Sequence, residues 1–355
     1  MSNFLTLAVA GGRKTQSLVN HCQALPSERK VALLTFTQTN QQEVKARLTA
    51  QAGHATGVEV MGWYTFLLRH FAKPFLRFKF PGERVGGFDF DGRPGRFARG
   101  KSRFMTADNR IFSCELGRLA FELMEATPAL LNRLECIYDE ILIDEVQDLA
   151  SYDWEILQLL LHSNIEVRLV GDVRQAVLST NPRGRKNKQF DYAASLEWFL
   201  EREAEGCLNI TYATITYRCR EEIAAFSDSI FDARWAFPRT TSENNDETGH
   251  DGVYLVRSEH VYEYMARFSP QCLRYSISSA KHLDLPFQNF KGVKGATFER
   301  VLIAPTKNIE NFIKNGTPLE STAAAAFYVA VTRAKQSLAI VLDLPGKSHL
   351  QYWAP

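Results

Sequence analysis

The chain has 355 residues, 45% of them hydrophobic and 23% charged, so a sizeable core is feasible and disorder is excluded as the default. Its length suits two ordinary domains or one large one. The net charge of +2 neither demands nor excludes a polyanionic partner.

No apolar run approaches the roughly 18 residues that a membrane span requires. The segment Met1 to Val9 leads straight into a glycine-containing loop and does not read as a signal peptide. The six cysteines are widely spaced, with no CxxC pair and no Cys/His cluster. Structural zinc and a disulfide scaffold are therefore not expected, and a reducing cytoplasm fits.

Leu5 to Ala10 reads as a short buried strand, followed by Gly11-Gly12-Arg13-Lys14-Thr15 and a helical pattern around Leu18, Val19 and Cys22. Val31 to Phe36 is the next strand, Gln41 to Leu48 a helix, and Val58 to Met61 a third strand. Trp63 to Phe71 is helical by spacing. Pro74 to Arg110 breaks into Gly, Pro, Arg and Phe, which suggests an irregular insertion with a hairpin. Residues 77 to 110 carry nine Lys/Arg against four Asp/Glu, a local positive field that suits a polyanion or a solvated loop. The run Arg183 to Lys188 is denser still.

Phe112 to Arg133 has helical period. Glu140 to Ile143 is a strand ending in Asp144-Glu145, and Val167 to Val170 another ending in Gly171-Asp172, with a helix from Trp154 to Leu161 between them. The alternation resumes from Tyr212, with strands at Gly252 to Val256, Val301 to Ala304 and Leu338 to Leu342 and helices from Glu221 and Ser321. Strands alternating with helices mean parallel sheets with ligands at the strands' carboxyl ends. The expected architecture is α/β, in two units divided near residue 208.

Lys14-Thr15 after glycines and a strand is a candidate phosphate cradle, although GxxxxGKT is not met. Alone it equally suits a turn with a surface lysine. The apolar strand ending in Asp144-Glu145 changes its weight. Together they form an NTP hydrolysis site, with Thr15 and Asp144 on Mg²⁺, Lys14 on the β and γ phosphates and Glu145 polarising the attacking water.

The motifs, in order, resemble the superfamily 1 DNA helicases of the UvrD/Rep type. Ala8 to Thr15 is similar to AGAGSGKT, and Leu34 to Gln38 to LTFTN. Gly62 to Arg69 is similar to TFHSF-x-LR. Ile143 to Asp148 (IDEVQD) is similar to DEAQD, Gly171 to Gln175 to GDxxQ, and Thr216 to Cys219 to NYRS. Lys294 to Phe298 is similar to KGLEF, and Phe327 to Lys335 (FYVAVTRAK) to LYVALTRAK.

The resemblance implies two RecA-like P-loop NTPase domains, 1–207 and 208–355, with a small basic insertion at about 72–135. It implies a DNA-dependent ATPase, a translocase or helicase running 3′ to 5′, with ATP and Mg²⁺ between the lobes. Lys14, Glu145, Gln175, Arg218 and Arg333 would be catalytic. Gly11, Gly12, Arg13, Lys14, Thr15, Gln16, Tyr217 and Gly295 would hold nucleotide, with Tyr217 on the base. Gln147 and Gln175 would report nucleotide state to the DNA face, or simply cap strands.

Thr35, Phe36, Trp63, Tyr64 and Phe66 would meet single-stranded DNA or a duplex with a single-stranded tail. Phe66 and Trp63 suit a core position as well. Arg13 stands where the family has glycine, either crowding the loop or adding a phosphate contact. Thr297 replaces a Glu, Leu178 an aromatic, and no adenine-reading Gln motif precedes the loop.

Two other functions remain open. One is a nucleotide-gated DNA-binding or assembly ATPase that recruits a partner, such as a nuclease in repair or phage defence, with little unwinding. The other is a small-molecule or nucleoside kinase, which leaves GDVRQ and YVAVTRAK without a purpose. The gaps Arg69 to Glu140 and Cys219 to Val293 leave room for a small first-lobe insertion and none for a large second-lobe subdomain. That makes the chain a compact motor core.

Overall fold

The computed structural model describes residues 2–52, 57–178, 186–187 and 191–355. Most of the basic run at 183–188, and most of the polar stretch at 180–189, lies outside the described residues.

The first half of the chain builds a six-stranded parallel sheet. Its strands are β1 (Phe4–Ala8), β2 (Val31–Thr35) and β3 (Val58–Gly62), then, beyond an insertion, β6 (Glu140–Ile143), β7 (Glu166–Gly171) and β8 (Asn209–Ala213). The insertion contributes the short β4 (Gly87–Asp89) and β5 (Arg110–Phe112). The sheet order is β3-β2-β6-β7-β1-β8. β1, β2 and β6 are near-continuous apolar runs because helices cover both faces of a parallel sheet. The flanking helices are α1 (Lys14–Ala24), α2 (Gln38–Ala52), α3 (Trp63–Leu67), α4 (Lys73–Lys79), α5 (Leu116–Ala126), α6 (Ala129–Ile137), α7 (Asp153–Leu161) and α8 (Tyr192–Ala204).

The remainder builds a second sheet. After two short strands, β9 (Ile215–Thr216) and β10 (Thr241–Ser242), come β11 (Gly252–Val256), β12 (Gln271–Arg274), β13 (Gln288–Asn289), β14 (Phe298–Ala304), β15 (Ala334–Val341) and β16 (Gln351–Tyr352). They pair in parallel in the order β13-β12-β14-β15-β11-β16. Helices α9 (Glu221–Asp228), α10 (Val261–Phe268), α11 (Lys307–Asn315) and α12 (Ser321–Val331) accompany it. Two parallel sheets flanked by helices are consistent with a duplicated RecA-like α/β fold.

Three local outcomes differ from the sequence-based expectation. The first sheet continues past residue 208, because β8 pairs with β1 over Phe4↔Asn209 to Ala8↔Ala213. The insertion holds no regular hairpin among the described residues: β4 and β5 run parallel, and one antiparallel bridge, Met105↔Ile111, closes the turn before β5. The helical stretch from Phe112 is divided at Thr127-Pro128, since proline disfavours helix at the residue before it.

Register places the chemistry. Leu7 pairs with Gly171, Ile143 with Leu169 and Leu34 with Ile143, so β1, β2, β6 and β7 end along one edge. The loops after them carry Gly11 to Arg13, Thr37, Asp144-Glu145 and Asp172. One hydrophobic cluster runs through both sheets, from Leu5 and Phe199 to Phe327, Tyr328 and Leu338. Helix α12 is buried on all sides from Ala324 to Val331, and its alanines let it sit close to its neighbours.

The opposite edge is fastened by Glu140, which is fully buried and accepts from His21 at 2.7 Å, Arg29 at 3.2 Å and Arg168 at 3.2 Å. Burial pushes its carboxyl up, and His21 and Arg168 outweigh that and hold it below its ordinary value. A carboxylate with a lowered folded pKa adds stability above the unfolded pKa and loses it as the pH falls through the folded one. Glu140→Gln should therefore destabilise the fold by about 3 kcal/mol, since removing one partner strands buried charge while the two arginines keep some solvent. Chemical denaturation should show this loss near neutral pH, with the gap to wild type closing in acid.

Candidate functional site: a cleft between the sheets

A cleft of about 690 Å³ opens where the carboxyl edge of the first sheet meets the second lobe. Its lining includes Gly11, Gly12, Arg13, Lys14, Thr15, Gln16, Glu145, Gln175, Tyr217, Arg218, Gly295 and Arg333. Every residue expected to be catalytic or to hold nucleotide is thus brought to one place. Asp144 lies just beneath, fully buried.

The loop after β1 needs its glycine. Gly11 has φ +77°, and a Cβ there would lie 2.6 Å from Thr216 Oγ1 and 2.7 Å from the Cβ of Arg218. The second-lobe strand is pressed against the loop: Thr216 Oγ1 donates to the Ala10 carbonyl at 2.8 Å, and the Tyr217 amide donates to the Gly11 carbonyl at 3.2 Å. Lys14 opens α1, and its amine has no hydrogen bond or ion pair among the described residues. Thr15 Oγ1 donates to Asp144 Oδ2 at 2.8 Å.

Asp144 is pushed up by burial and by the neighbouring Glu145 charge. Glu145 has φ +54°, an unusual left-handed conformation for a non-glycine residue, which turns its side chain into the cleft. Burial raises its carboxyl, but Lys294 and Lys14 outweigh that and keep it ionised. Gln147 Nε2 donates to Glu145 Oε2, and Gln147 Oε1 accepts from the Asp172 amide at 3.0 Å. Gly171 makes room for this contact, because a Cβ there would fall 2.4 Å from Gln147 Oε1.

The second lobe delivers cations. Arg333 is 1% exposed, and its guanidinium donates only to neutral oxygens: Val329 O at 2.9 Å, Ala296 O at 3.2 Å, Thr332 Oγ1 at 3.1 Å and Gln175 Oε1 at 3.3 Å. Burial, then the adjacent Arg218, lower its pKa. Arg218, partly buried, donates to the Thr332 carbonyl at 3.2 Å, and burial lowers it too. Neither makes an ion pair among the described residues. Gln175 Nε2 donates to Asp172 Oδ2 at 2.8 Å, so Gln175 links Arg333 to the end of β7.

The sequence alone assigns Lys294 no role, although it opens the string KGATF. It reaches across the lobes, with Nζ 2.6 Å from Asp148 Oδ1 and 3.7 Å from Glu145 Oε2. Nor does the sequence single out Tyr328, Asp172 or Arg174. Tyr328 OH donates to Asp172 Oδ2 at 3.0 Å and accepts from the Ala10 amide at 3.3 Å. Arg174, 4% exposed, pairs with Asp172 at 3.3 Å and Asp228 at 2.9 Å and lies 4.7 Å from the Tyr328 ring. The signal is present in GDVRQ and FYVAV, but nothing in one sequence says that these strings face each other.

Arg13 reaches the second-lobe residue Tyr217. Its guanidinium lies 3.6 Å above the centre of the Tyr217 ring.

The five residues expected on DNA are not among those lining this cleft. Trp63 is 1% exposed and Phe66 and Thr35 are fully buried, so none presents a face to a ligand. Phe36 and Tyr64 are half-buried and pack against the same core. Phe36 stands 6.1 Å from Trp63, and Trp63 stands 5.8 Å from Phe66. The apolar end of β3 requires these rings beneath it.

An oxygen-rich set suits Mg²⁺, which takes few protein ligands beside substrate phosphates. Thr15 and Asp144 form such a set, and the unpaired cations across the cleft suit the phosphates.

Residues 100–180 match the UvrD/REP helicase N-terminal domain. An ATP-dependent helicase/nuclease subunit from Lactococcus lactis subsp. lactis is 27% identical over 127 residues, 35% of this chain and 10% of that protein. The exonuclease/helicase subunit RexA of Lactococcus lactis subsp. cremoris is 26% identical over 129 residues, again 35% and 10%. The matches span about a tenth of the length of these relatives. Among solved structures, the arterivirus nonstructural protein 10 helicase aligns over 96% of this chain and 59% of its own, at 14% identity and TM-score 0.48. Part of the chain is therefore homologous to superfamily 1 helicase domains related to UvrD and Rep. Among the described residues no helix is long and apolar enough to cross a membrane.

The burial of Phe66 has a measurable consequence. Phe66→Ala should cost about 3–5 kcal/mol of stability. Under conditions where the variant stays folded, its affinity for single-stranded DNA should equal that of wild type in a titration at fixed salt.

Proposed function

We propose that this chain is a nucleotide-gated, DNA-binding ATPase that works with a partner, preferably a nuclease, and contributes little strand separation alone. One observation carries it: Lys14 and Thr15 from the first lobe and Arg218 and Arg333 from the second face a single cleft, and neither arginine pairs with a carboxylate among the described residues. A buried cation without an acid is costly, and a triphosphate removes that cost.

The roles follow from position. Loop amides and Lys14 hold the β and γ phosphates. Thr15 and Asp144 are placed to hold Mg²⁺, which when bound neutralises phosphate charge and orients the γ-phosphoryl group. Glu145, kept ionised by Lys294 and Lys14, orients water and takes its proton. The water oxygen bonds to the γ-phosphorus, the β–γ bridge breaks, and ADP and phosphate leave. Arg218 and Arg333 stabilise the charge that develops. Since they come from the second lobe, hydrolysis is tied to closure of the two lobes.

The strand face is assigned to the insertion. Phe78, Phe90 and Phe97 are 62%, 72% and 84% exposed. Arg77, Arg84, Arg93, Arg96 and Arg99 are exposed near them in sequence, with no ion pair among the described residues. Exposed aromatics among arginines suit stacking on bases and contact with phosphates without regard to sequence. The partner is suggested by the matched relatives, whose names join helicase with nuclease or exonuclease. A role in repair or phage defence would follow from that pairing.

A second reading is a free-standing translocase moving 3′ to 5′. It is favoured by the two-lobed origin of the site, which suits stepping.

ATP turnover with and without single-stranded DNA, and unwinding of a tailed duplex, separate these readings. The gated reading expects DNA-stimulated turnover, little unwinding by the chain alone, and loss of turnover by at least about a hundredfold in Lys14→Ala and Arg333→Ala, by analogy with losing one preorganised charge donor. Glu145→Gln should bind ATP and retain a nuclease partner while hydrolysing poorly. Processive unwinding by the chain alone would favour the translocase. Absence of nucleotide binding would end both.

A further inference from the structure

Tyr217 is the aromatic at the rim of the cleft, 41% exposed and tethered by its amide to the Gly11 carbonyl at 3.2 Å. With phosphates on Lys14, Arg218 and Arg333, its ring is the surface against which a nucleobase lies. That surface is already covered. The Arg13 guanidinium sits 3.6 Å from the ring centre. Beside this stack, the Arg13 side chain makes no hydrogen bond and no ion pair among the described residues.

The backbone sets up the stack. Arg13 is the residue before α1 and has φ 53° and ψ 36°, left-handed, with no side-chain cap bond. That conformation suits glycine and is strained for an arginine. It directs the side chain along the second-lobe segment that carries Tyr217. A flat guanidinium on an aromatic face makes a favourable cation–π contact.

We propose that Arg13 is an internal competitor for the nucleobase: it holds the Tyr217 face, and a purine nucleotide must displace it to stack. This rests on the reading of the cleft as a nucleoside triphosphate site and deepens it. The consequence is a site that recognises the triphosphate more than the base. ATP and GTP then differ little, because displacing Arg13 offsets whatever stacking gains.

Calorimetric titration of ATP, GTP and inorganic tripolyphosphate, each with Mg²⁺, tests this in wild type, Arg13→Gly, Tyr217→Ala and the double variant. Arg13→Gly should tighten ATP and GTP about two- to fivefold, the size of an exposed cation–π contact. It should leave tripolyphosphate unchanged. In the Tyr217→Ala background the same substitution should have no effect on ATP, because the contested face is gone. If Arg13→Gly leaves ATP unchanged, or weakens ATP and tripolyphosphate together, the proposal is overturned and Arg13 is inert or a phosphate contact. If wild type binds none of the three ligands, the nucleotide reading itself falls. Thermal melting guards against misfolding, and Arg13→Gly should melt at or above wild type because glycine accepts this backbone freely.

Discussion

The structure turns on a charge without a counter-charge. Arg333 is buried, and its partners are two carbonyls, a hydroxyl and an amide oxygen. Arg218 lies close enough to depress it further. Seven Lys/Arg and three Asp/Glu line the cleft among the described residues. Two of those acids, Glu145 and Asp148, are matched by Lys294. Arg47 pairs with Glu43 and Lys335 with Glu299, while Arg13, Lys14, Arg218 and Arg333 have no ion pair among the described residues; their positive potential in a low-dielectric cleft acts far more strongly than at the surface. The register of four parallel strands, the left-handed turn at Glu145 and the close approach at Gly11 and Gly171 all place groups around that potential.

The lobe junction beside it is built the opposite way. Arg174 is as buried as its neighbours, yet it is compensated by Asp172 and Asp228 and covered by Tyr328 and Phe237. Tyr328 closes the circuit by bonding Asp172 and the loop after β1. A satisfied network of this kind rigidifies, while an unsatisfied charge seeks a ligand. The two arginines of similar burial thus have different work. Arg174 ties Asp172 of the first lobe to Asp228 of the second, and Arg333 carries a charge that no carboxylate among the described residues meets.

The sheets and the cleft were legible in the sequence for a physical reason. Strands buried on both faces must be continuous apolar runs, and Ile141 to Ile143 and Val31 to Leu34 are such runs. Residues that serve one polyanion must lie in short strings at strand ends, so IDEVQD and GDVRQ could be read directly. Three things were not legible. β8 has no buried residue because it is an edge strand, with Asn209, Thr211 and Tyr212 exposed and Ile210 and Ala213 half-buried, so Asn209 to Ala213 carries little hydrophobic signal. Trp63 and Phe66 follow a strand end, where an aromatic packed beneath the sheet and one offered to a base have the same pattern. The pairing of Lys294 with Asp148 spans 146 residues, and no local spacing encodes it.

The path from the cleft to the insertion is short and made of packed groups. Asp148, held by Lys294, is followed at once by Leu149, whose carbonyl takes the Trp154 indole at 3.0 Å. Tyr152, in the same turn, packs with its ring 5.6 Å from that of Phe121 of α5, tilted by 38°, and lies 5.8 Å from the Arg118 guanidinium. Gly117 of α5 comes so near that a Cβ would stand 2.8 Å from Asp153 Oδ1. The segment that follows Asp148 in the cleft lining therefore packs directly on α5, the helix after the basic, aromatic stretch. Close-packed contacts of this kind shift between discrete arrangements rather than deform smoothly. Asp148 and α5 are thus joined by one continuous set of packed groups. The insertion is joined to the cleft lining through α5, whose Phe121 and Gly117 meet Tyr152 and Asp153.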